Sequence, residues 1–225
     1  MTNSVEATGW NLQYELGRYA NDPPVEFVDD ILQDLGEDAA HQFGLYVGCG
    51  NGRNFIPLLK NGLNLRGIDI SKVGIDQLIE RYPEAENLVR VESFDGVKAA
   101  RAFDYVVAIQ VFQHGDQTAA HHNFKLAKDI LKPGGKLFLR VNSTSTDIKH
   151  RYEVTDRNKD GGFSILYQEG PKAGTNIHFY SEQELVNLAA RHNFEITQSL
   201  YDRIEPRHEQ ADGSWAQWET IWQKV

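Results

Sequence analysis

Apolar positions along the chain follow two rhythms that take turns. Short stretches carrying several apolar residues occur at Leu45-Tyr46-Val47, Leu63 to Ile70, Leu88 to Phe94, Tyr105 to Val111 and Lys136 to Val141. Each reads as a strand, and the fourth is apolar almost throughout, as a strand buried on both faces should be. Between them, apolar residues recur three and four apart: Val28, Ile31, Leu32 and Leu35; Phe55, Leu58 and Leu59; Val73, Ile75, Leu78 and Ile79; Phe124, Ala127, Ile130 and Leu131. That spacing puts one face of a helix against a core. The punctuation agrees. Asp22 ahead of Pro23-Pro24 reads as one helix start, Ser71 as another, and Gly36 as a helix end. Strands alternating with helices predict an α/β fold with a mostly parallel sheet and right-handed crossovers.

Toward the C-terminus the rhythm changes. Ser181-Glu182-Gln183-Glu184 is a capping box that opens a helix with Leu185, Leu188 and Ala189 inward. Phe194 to Ile204 and Gly213 to Val225 then read as two strands with no helix between them, which predicts an antiparallel pair. Without an internal repeat or linker, residues 1–225 read as a single domain. Two stretches stand outside the alternation. The first, residues 1–22, is expected to be disordered up to about Thr8; Trp10, Tyr14 and Tyr19 follow, with Gly17. The second, residues 142–180, is too long for an ordinary connection and rich in charged and ring side chains, with one short strand expected at Ser164 to Gln168. Loops of that length are commonly lids or binding elements.

The chemistry concentrates where the first strand ends. Gly48-Cys49-Gly50-Asn51-Gly52 follows Tyr46-Val47 and leads into a helix, an arrangement that brings backbone N–H groups against a nucleotide-like ligand. About twenty residues on, Asp69 falls near the end of the second strand, where a nucleotide-binding α/β fold holds a carboxylate for the ribose hydroxyls. Five stretches in order resemble the class I S-adenosylmethionine (SAM)-dependent methyltransferases. They are the glycine loop, Asp69, Ser93-Phe94-Asp95, Phe103 to Val107, and Leu131-Lys132-Pro133-Gly134-Gly135. The N-terminal Trp-x-x-x-Tyr-x-x-Gly segment is similar to that of thiopurine-methyltransferase-like members, in which it folds over the cofactor.

The resemblance implies a Rossmann-like, seven-stranded, mostly parallel sheet with an antiparallel C-terminal hairpin and helices on both faces. It implies SAM as cofactor, bound by Tyr46, Gly48, Cys49, Gly50, Arg53, Asn54, Asp69, Ile70, Phe94, Asp95 and Gln110. Tyr46 departs from the family, which usually has an acid there; its phenol is expected to replace that acid, with Arg53 or Asn54 helping to hold the methionine end. His114, just past the fourth strand, is the expected general base, because an imidazole ordinarily titrates near neutrality. Acceptor contacts are expected from Trp10, Tyr14, Tyr19, Arg140, Tyr152, Glu153, His178 and Tyr180.

Composition narrows the partners. The 225 residues carry a net charge of −9, and no lysine-arginine cluster is visible, which argues against nucleic acid as acceptor. The acceptor is expected to be a small molecule or a peptide offering O, N or S. A lone cysteine, Cys49, leaves no intrachain disulfide and no multi-cysteine metal site. The tandem His121-His122 reads as surface, so no metal is expected. No apolar run reaches membrane-span length and no signal-peptide core opens the chain, so a cytoplasmic protein is expected. Two other readings remain open: a SAM-binding protein without turnover, and a nicotinamide-dependent oxidoreductase, which the terminal strand pair disfavours.

Overall fold

The computed structural model describes residues 3–207 and 213–225. Seven strands form one sheet and three form another. By their internal contacts the residues fall into two compact units, Met1–Val107 with Ile130–Lys132, and Ala108–Asp129 with Pro133–Val225.

The first unit contains α1 (Asn3–Glu15), α2 (Phe27–Leu35), β1 (Phe43–Val47), α3 (Phe55–Lys60), β2 (Asn64–Asp69), α4 (Lys72–Arg81), β3 (Val89–Val91) and most of β4 (Phe103–Ile109). The second contains α5 (Gln117–Ile130), β5 (Leu131–Asn142), β6 (Tyr152–Arg157), β7 (Phe163–Tyr167), β8 (Asn176–Phe179), α6 (Glu182–Arg191), β9 (Phe194–Pro206) and β10 (Ser214–Lys224). The larger sheet has the order β3-β2-β1-β4-β5-β10-β9 and the smaller β6-β7-β8. β1, β2 and β3 run parallel, and β10 is antiparallel to both β5 and β9. The expected α/β architecture and the C-terminal hairpin are therefore present.

In the first unit, Leu45, Tyr46 and Val47 of β1 are buried, and the Phe43 and Phe103 rings stack at 5.1 Å. The helix expected from Pro23 starts later, at Phe27, with Phe27, Val28, Ile31 and Leu35 buried. Asp22 does not cap it. The Val25 amide donates to the Asn54 side chain at 3.0 Å, and Asp22 lies 3.8 Å from Arg53, which holds this stretch out of the helix. Gly36 ends α2 at φ 60° as expected. The N-terminal stretch is not disordered to Thr8: α1 begins at Asn3, while Met1 and Thr2 lie outside the described residues.

The second unit is held by β10, buried on both faces along most of its length. Trp222 is fully buried, its ring 5.3 Å from Phe124 and 5.7 Å from Phe194. The 142–180 stretch holds more structure than its one expected strand. β6, β7 and β8 build an antiparallel sheet with Ile165, Tyr167, Ile177 and Phe179 as its own core. β6 was illegible because its inward side is only half-buried, so the apolar alternation that marks a strand is weak there.

Arg140, expected at the acceptor, is committed elsewhere. It sits opposite Glu219 in the β5–β10 register and is 2% exposed; its Nε donates to Glu219 at 2.8 Å, and Arg203 donates to the other Glu219 oxygen at 2.7 Å. Removing one partner of a buried pair leaves the other charge stranded. Arg140→Leu should therefore destabilise the fold by about 3–5 kcal/mol, while Arg140→Leu with Glu219→Leu should cost clearly less. Urea unfolding of the two variants checks this, and equal losses would show that the cost is packing alone.

Candidate cofactor site

The glycine loop after β1 owes its shape to backbone that side chains resist. Gly48, Gly50 and Gly52 have φ of 71°, 51° and 85°. The amides of Gly48 and Cys49 both donate to the Ile68 carbonyl, at 2.8 and 3.0 Å, so the loop is laced to β2.

Asp69 closes the arrangement. It is 8% exposed; one oxygen accepts from the Gly50 amide at 2.7 Å and the other from the Ser71 amide at 2.7 Å. Burial pushes its carboxyl above the ordinary carboxylate range, and the N–H bonds from Ser71, Gly50 and Ile70 pull back only part of that. Ser71 caps α4, accepting from the Gly74 amide at 3.0 Å, and its hydroxyl donates to Asn11 at 2.7 Å. Asn11 also accepts from the Val73 amide at 3.2 Å, so α1 is tied to the start of α4.

Tyr14, expected against the acceptor, instead packs on the glycine loop. It is buried, and its hydroxyl stands 2.2 Å from where a Cβ on Gly50 would be; its ring stands 2.9 Å from a Cβ on Gly74. Two glycines thus leave the slot this phenol fills. Burial, then the Asp69 charge, pushes its hydroxyl well above the ordinary range, so it stays protonated and able to donate. Trp10 lies one helical turn away, ring centroids 6.1 Å apart. Tyr19 has φ 60° and sits beneath the Arg18 and Arg53 guanidinium groups, at 5.0 and 5.5 Å.

Other expected residues are placed as follows. Tyr46 is buried edge-on to Phe55 at 5.8 Å, and Cys49 is buried, its thiol pushed well up by burial and the Asp69 charge. Arg53 and Asn54, expected at the methionine end, bind the chain itself: Arg53 Nε donates to the Pro23 carbonyl at 2.6 Å, and Asn54 holds the Val25 amide. The Pro23-Pro24 stretch, brought alongside by the fold, supplies an acceptor with no competing N–H at either proline. Ile70 is half-buried, Phe94 buried, and Asp95 exposed on a short turn, Phe94–Gly96. Asn51, which was not singled out, is 2% exposed and donates to the Arg18 carbonyl at 3.3 Å.

In the second unit, Gln110 follows β4 at φ 58°, a conformation a non-glycine residue adopts at a cost of order 1–3 kcal/mol and one that recurs at functional positions. Its amide donates to the Arg140 carbonyl at 2.7 Å. His114 Nε2 lies 3.0 Å from the Gln110 carbonyl. A carbonyl only accepts, so Nε2 carries the proton and Nδ1 holds the basic lone pair. The 110–115 loop is fixed by β8: the His178 amide donates to the Gln113 carbonyl at 2.8 Å and the Gly115 amide to the Asn176 carbonyl at 3.0 Å. Tyr152 and Glu153 are exposed on β6. Tyr180 is buried, its hydroxyl donating to the Phe112 carbonyl at 2.7 Å. His178 is buried against Ser164 and Glu184. His121 is also turned inward onto Glu184 at 2.6 Å, so the surface reading of the histidine pair is corrected at that position.

Comparison with known proteins agrees with this geometry. A family model described as a methyltransferase domain matches residues 19–199. A curated zebrafish (Danio rerio) relative, tRNA N(3)-cytidine methyltransferase METTL2, is 29% identical over 189 residues, which is 75% of this chain and 49% of the relative. The chain therefore spans about half the length of that relative. Among solved structures, a SAM-dependent methyltransferase of Methanosarcina mazei superposes with a TM-score of 0.63 at 21% identity, covering 91% of this chain and 99% of that one. The 1,6-didemethyltoxoflavin-N1-methyltransferase of Burkholderia thailandensis, solved with its acceptor and S-adenosylhomocysteine, gives 0.67 at 15% identity, covering 99% and 88%. At those identities the structures speak for the fold. No helix among the described residues is long and apolar enough to cross a membrane.

Ser71 is the joint between α1 and α4. Ser71→Ala should lower stability by about 1–2 kcal/mol through the lost cap. It should also speed hydrogen exchange across α1, whose Asn11 keeps only the Val73 amide as its link to α4. Unchanged α1 exchange would show that the Val73 bond and Tyr14 suffice to hold the helix down.

Proposed function

The chain belongs to the methyltransferase-domain family, and from that premise we propose that it is a SAM-dependent methyltransferase whose acceptor is a small molecule or a peptide offering an O, N or S nucleophile. The observation that carries this reading is the 142–180 insert. It folds into a compact three-stranded sheet whose lysines and arginines are matched one for one by aspartates and glutamates, in a chain of net charge −9. A phosphate backbone would favour a basic face.

The residues at the glycine loop fit the cofactor. Carboxylate oxygens accept about four hydrogen bonds in all; the Gly50 and Ser71 amides take one on each Asp69 oxygen and the Ile70 N–H also acts on this carboxylate, which leaves room for a ribose hydroxyl. Ile70 and Phe94 flank the base in this reading, Asp95 meets the adenine amino group, and the Tyr46 hydroxyl substitutes for the family's usual acid. When bound, SAM supplies a methyl group that its sulfonium makes electrophilic. The chain's own residues orient the nucleophile, exclude water and remove a proton. His114 is the proposed base, through Nδ1, and the strained Gln110 backbone holds the loop that presents it.

A second reading has a specific observation behind it. The zebrafish relative is named for tRNA methylation, which makes tRNA the alternative acceptor for this chain. SAM carrying an isotopically labelled methyl group, incubated separately with a metabolite extract, a peptide pool and total tRNA, discriminates among them. Label in metabolites or peptides is expected. Label in tRNA alone would overturn the acceptor class, and SAM binding with no label in any pool would favour a ligand-binding protein without turnover.

Two variants test the residues. Asp69→Ala should weaken SAM binding by at least about tenfold, the equivalent of 1.4 kcal/mol, in calorimetric titration of folded protein. Unchanged affinity would confine Asp69 to holding the loop. Once an acceptor is identified, His114→Ala and His114→Gln should lower kcat by about 10²–10⁴-fold and flatten the acidic limb of the pH profile. Wild-type rate and pH dependence in both would remove His114 from the reaction.

A further inference from the structure

Glu184 was expected to complete a capping box. Ser181 does cap α6, accepting from the Glu184 amide at 3.1 Å, but the Glu184 side chain turns away from the helix start. One oxygen, Oε1, lies 2.6 Å from His121 Nε2 on α5 and 2.9 Å from His178 Nε2 on β8. The Asn158 side chain donates to the same oxygen. The potential ligand atoms of His121, His178 and Glu184 all lie within 4.8 Å of one another. His178 and Glu184 are 0% and 1% exposed at the side chain, and His121 is 18% exposed, so the cluster is sealed on one side and reachable past His121.

Two features do not suit a plain hydrogen-bonded core. Three donors crowd onto Oε1, while Oε2 is buried with no hydrogen-bond partner. Leaving a buried carboxylate oxygen bare costs its full desolvation. The second feature is the outer shell. The other ring nitrogen of His178, Nδ1, meets the Ser164 hydroxyl at 2.8 Å in a fully buried position. Histidines that bind metals are usually held this way through their second nitrogen.

We propose that His121, His178 and Glu184 form a site for a divalent transition-metal ion of the zinc class, with a fourth position left to water beside His121. Two imidazoles and one carboxylate suit zinc, and they disfavour calcium and magnesium, which prefer all-oxygen shells. The proton balance closes for His178. A metal at Nε2 requires the neutral ring to carry its proton on Nδ1, and the Ser164 hydroxyl is in place to accept that N–H. With zinc bonds of about 2.0–2.2 Å, ligand atoms in a tetrahedral set stand about 3.3–3.6 Å apart, so the N···O separations of 2.6 and 2.9 Å must open by roughly 0.4–1 Å, within reach of side-chain rotation. Such an ion would pin α5, β8 and α6 together. Its role is to brace the second unit and does not depend on which acceptor the enzyme uses.

The test uses the full chain with any affinity tag removed. Wild-type protein should retain one equivalent of zinc by mass spectrometry after dialysis, show the visible bands of tetrahedral cobalt when Co²⁺ is substituted, and, after stripping with a chelator, melt higher when zinc is restored. His121→Ala, on the partly exposed side, should keep its fold by circular dichroism and lose the cobalt spectrum and the melting shift. Ser164→Ala should weaken zinc by about 10–100-fold. His122→Ala, the exposed neighbour, should leave binding unchanged. Absence of stoichiometric zinc, or zinc binding that survives His121→Ala in a folded protein, would overturn the site and leave the cluster as a hydrogen-bonded brace.

Discussion

A buried carboxylate holds the first unit's site together. Asp69 ties the end of β2 to the glycine loop through Gly50 and to the start of α4 through Ser71, and α1 is tied in turn to Ser71 through Asn11. Desolvation outweighs the N–H bonds Asp69 receives, because its carboxyl sits above the ordinary range. The sign matters: an acid raised in the folded state costs stability where the unfolded chain would be ionised, and that cost fades as pH falls. Additional donors to the ionised form reverse the shift. Through Ser71 and Asn11 the same carboxylate couples the glycine loop and the start of α4 to α1.

That coupling explains why Tyr14 behaves differently from its sequence reading. Aromatic residues in an N-terminal segment suggest an acceptor wall, since nothing in their spacing says what they face. Gly74 was the readable clue. A glycine in the first turn of a helix weakens it unless something must approach closely, and here the Tyr14 ring does. The glycine loop and Asp69 were legible because their chemistry is local: a backbone conformation and a strand end. Arg53 and Asn54 were misplaced because their partners, Pro23 and Val25, lie some thirty residues away, and backbone groups leave no mark in a sequence.

The second unit shows the same limit more sharply. His121, His178 and Glu184 come from three elements and meet only after α5, β8 and α6 have packed. Metal motifs that can be read from sequence place their ligands on one helix or loop, where spacing carries the information. Here the single local signal, Ser181 to Glu184, pointed to a cap that half forms. Arg140 is comparable. A buried arginine in a strand suggests a ligand contact until its partner Glu219 is found directly opposite, 79 residues later.

Charge has to be read at the same scale as the contact it is meant to explain. A net charge of −9 sums the whole chain, whereas an acceptor meets one surface. The insert is balanced in sign, and its cations are partly occupied: Arg157 lies over Phe163 at 5.2 Å, and Lys172 over Trp215 at 5.5 Å. Cations stacked on aromatic rings keep their charge but give up freedom to track a phosphate backbone. The two rings, Phe163 and Trp215, are themselves half-buried, so each cation covers a face that is already part of the fold. The tRNA-methylating relative is about twice as long as the aligned region, so the likeness leaves about half of that protein unmatched.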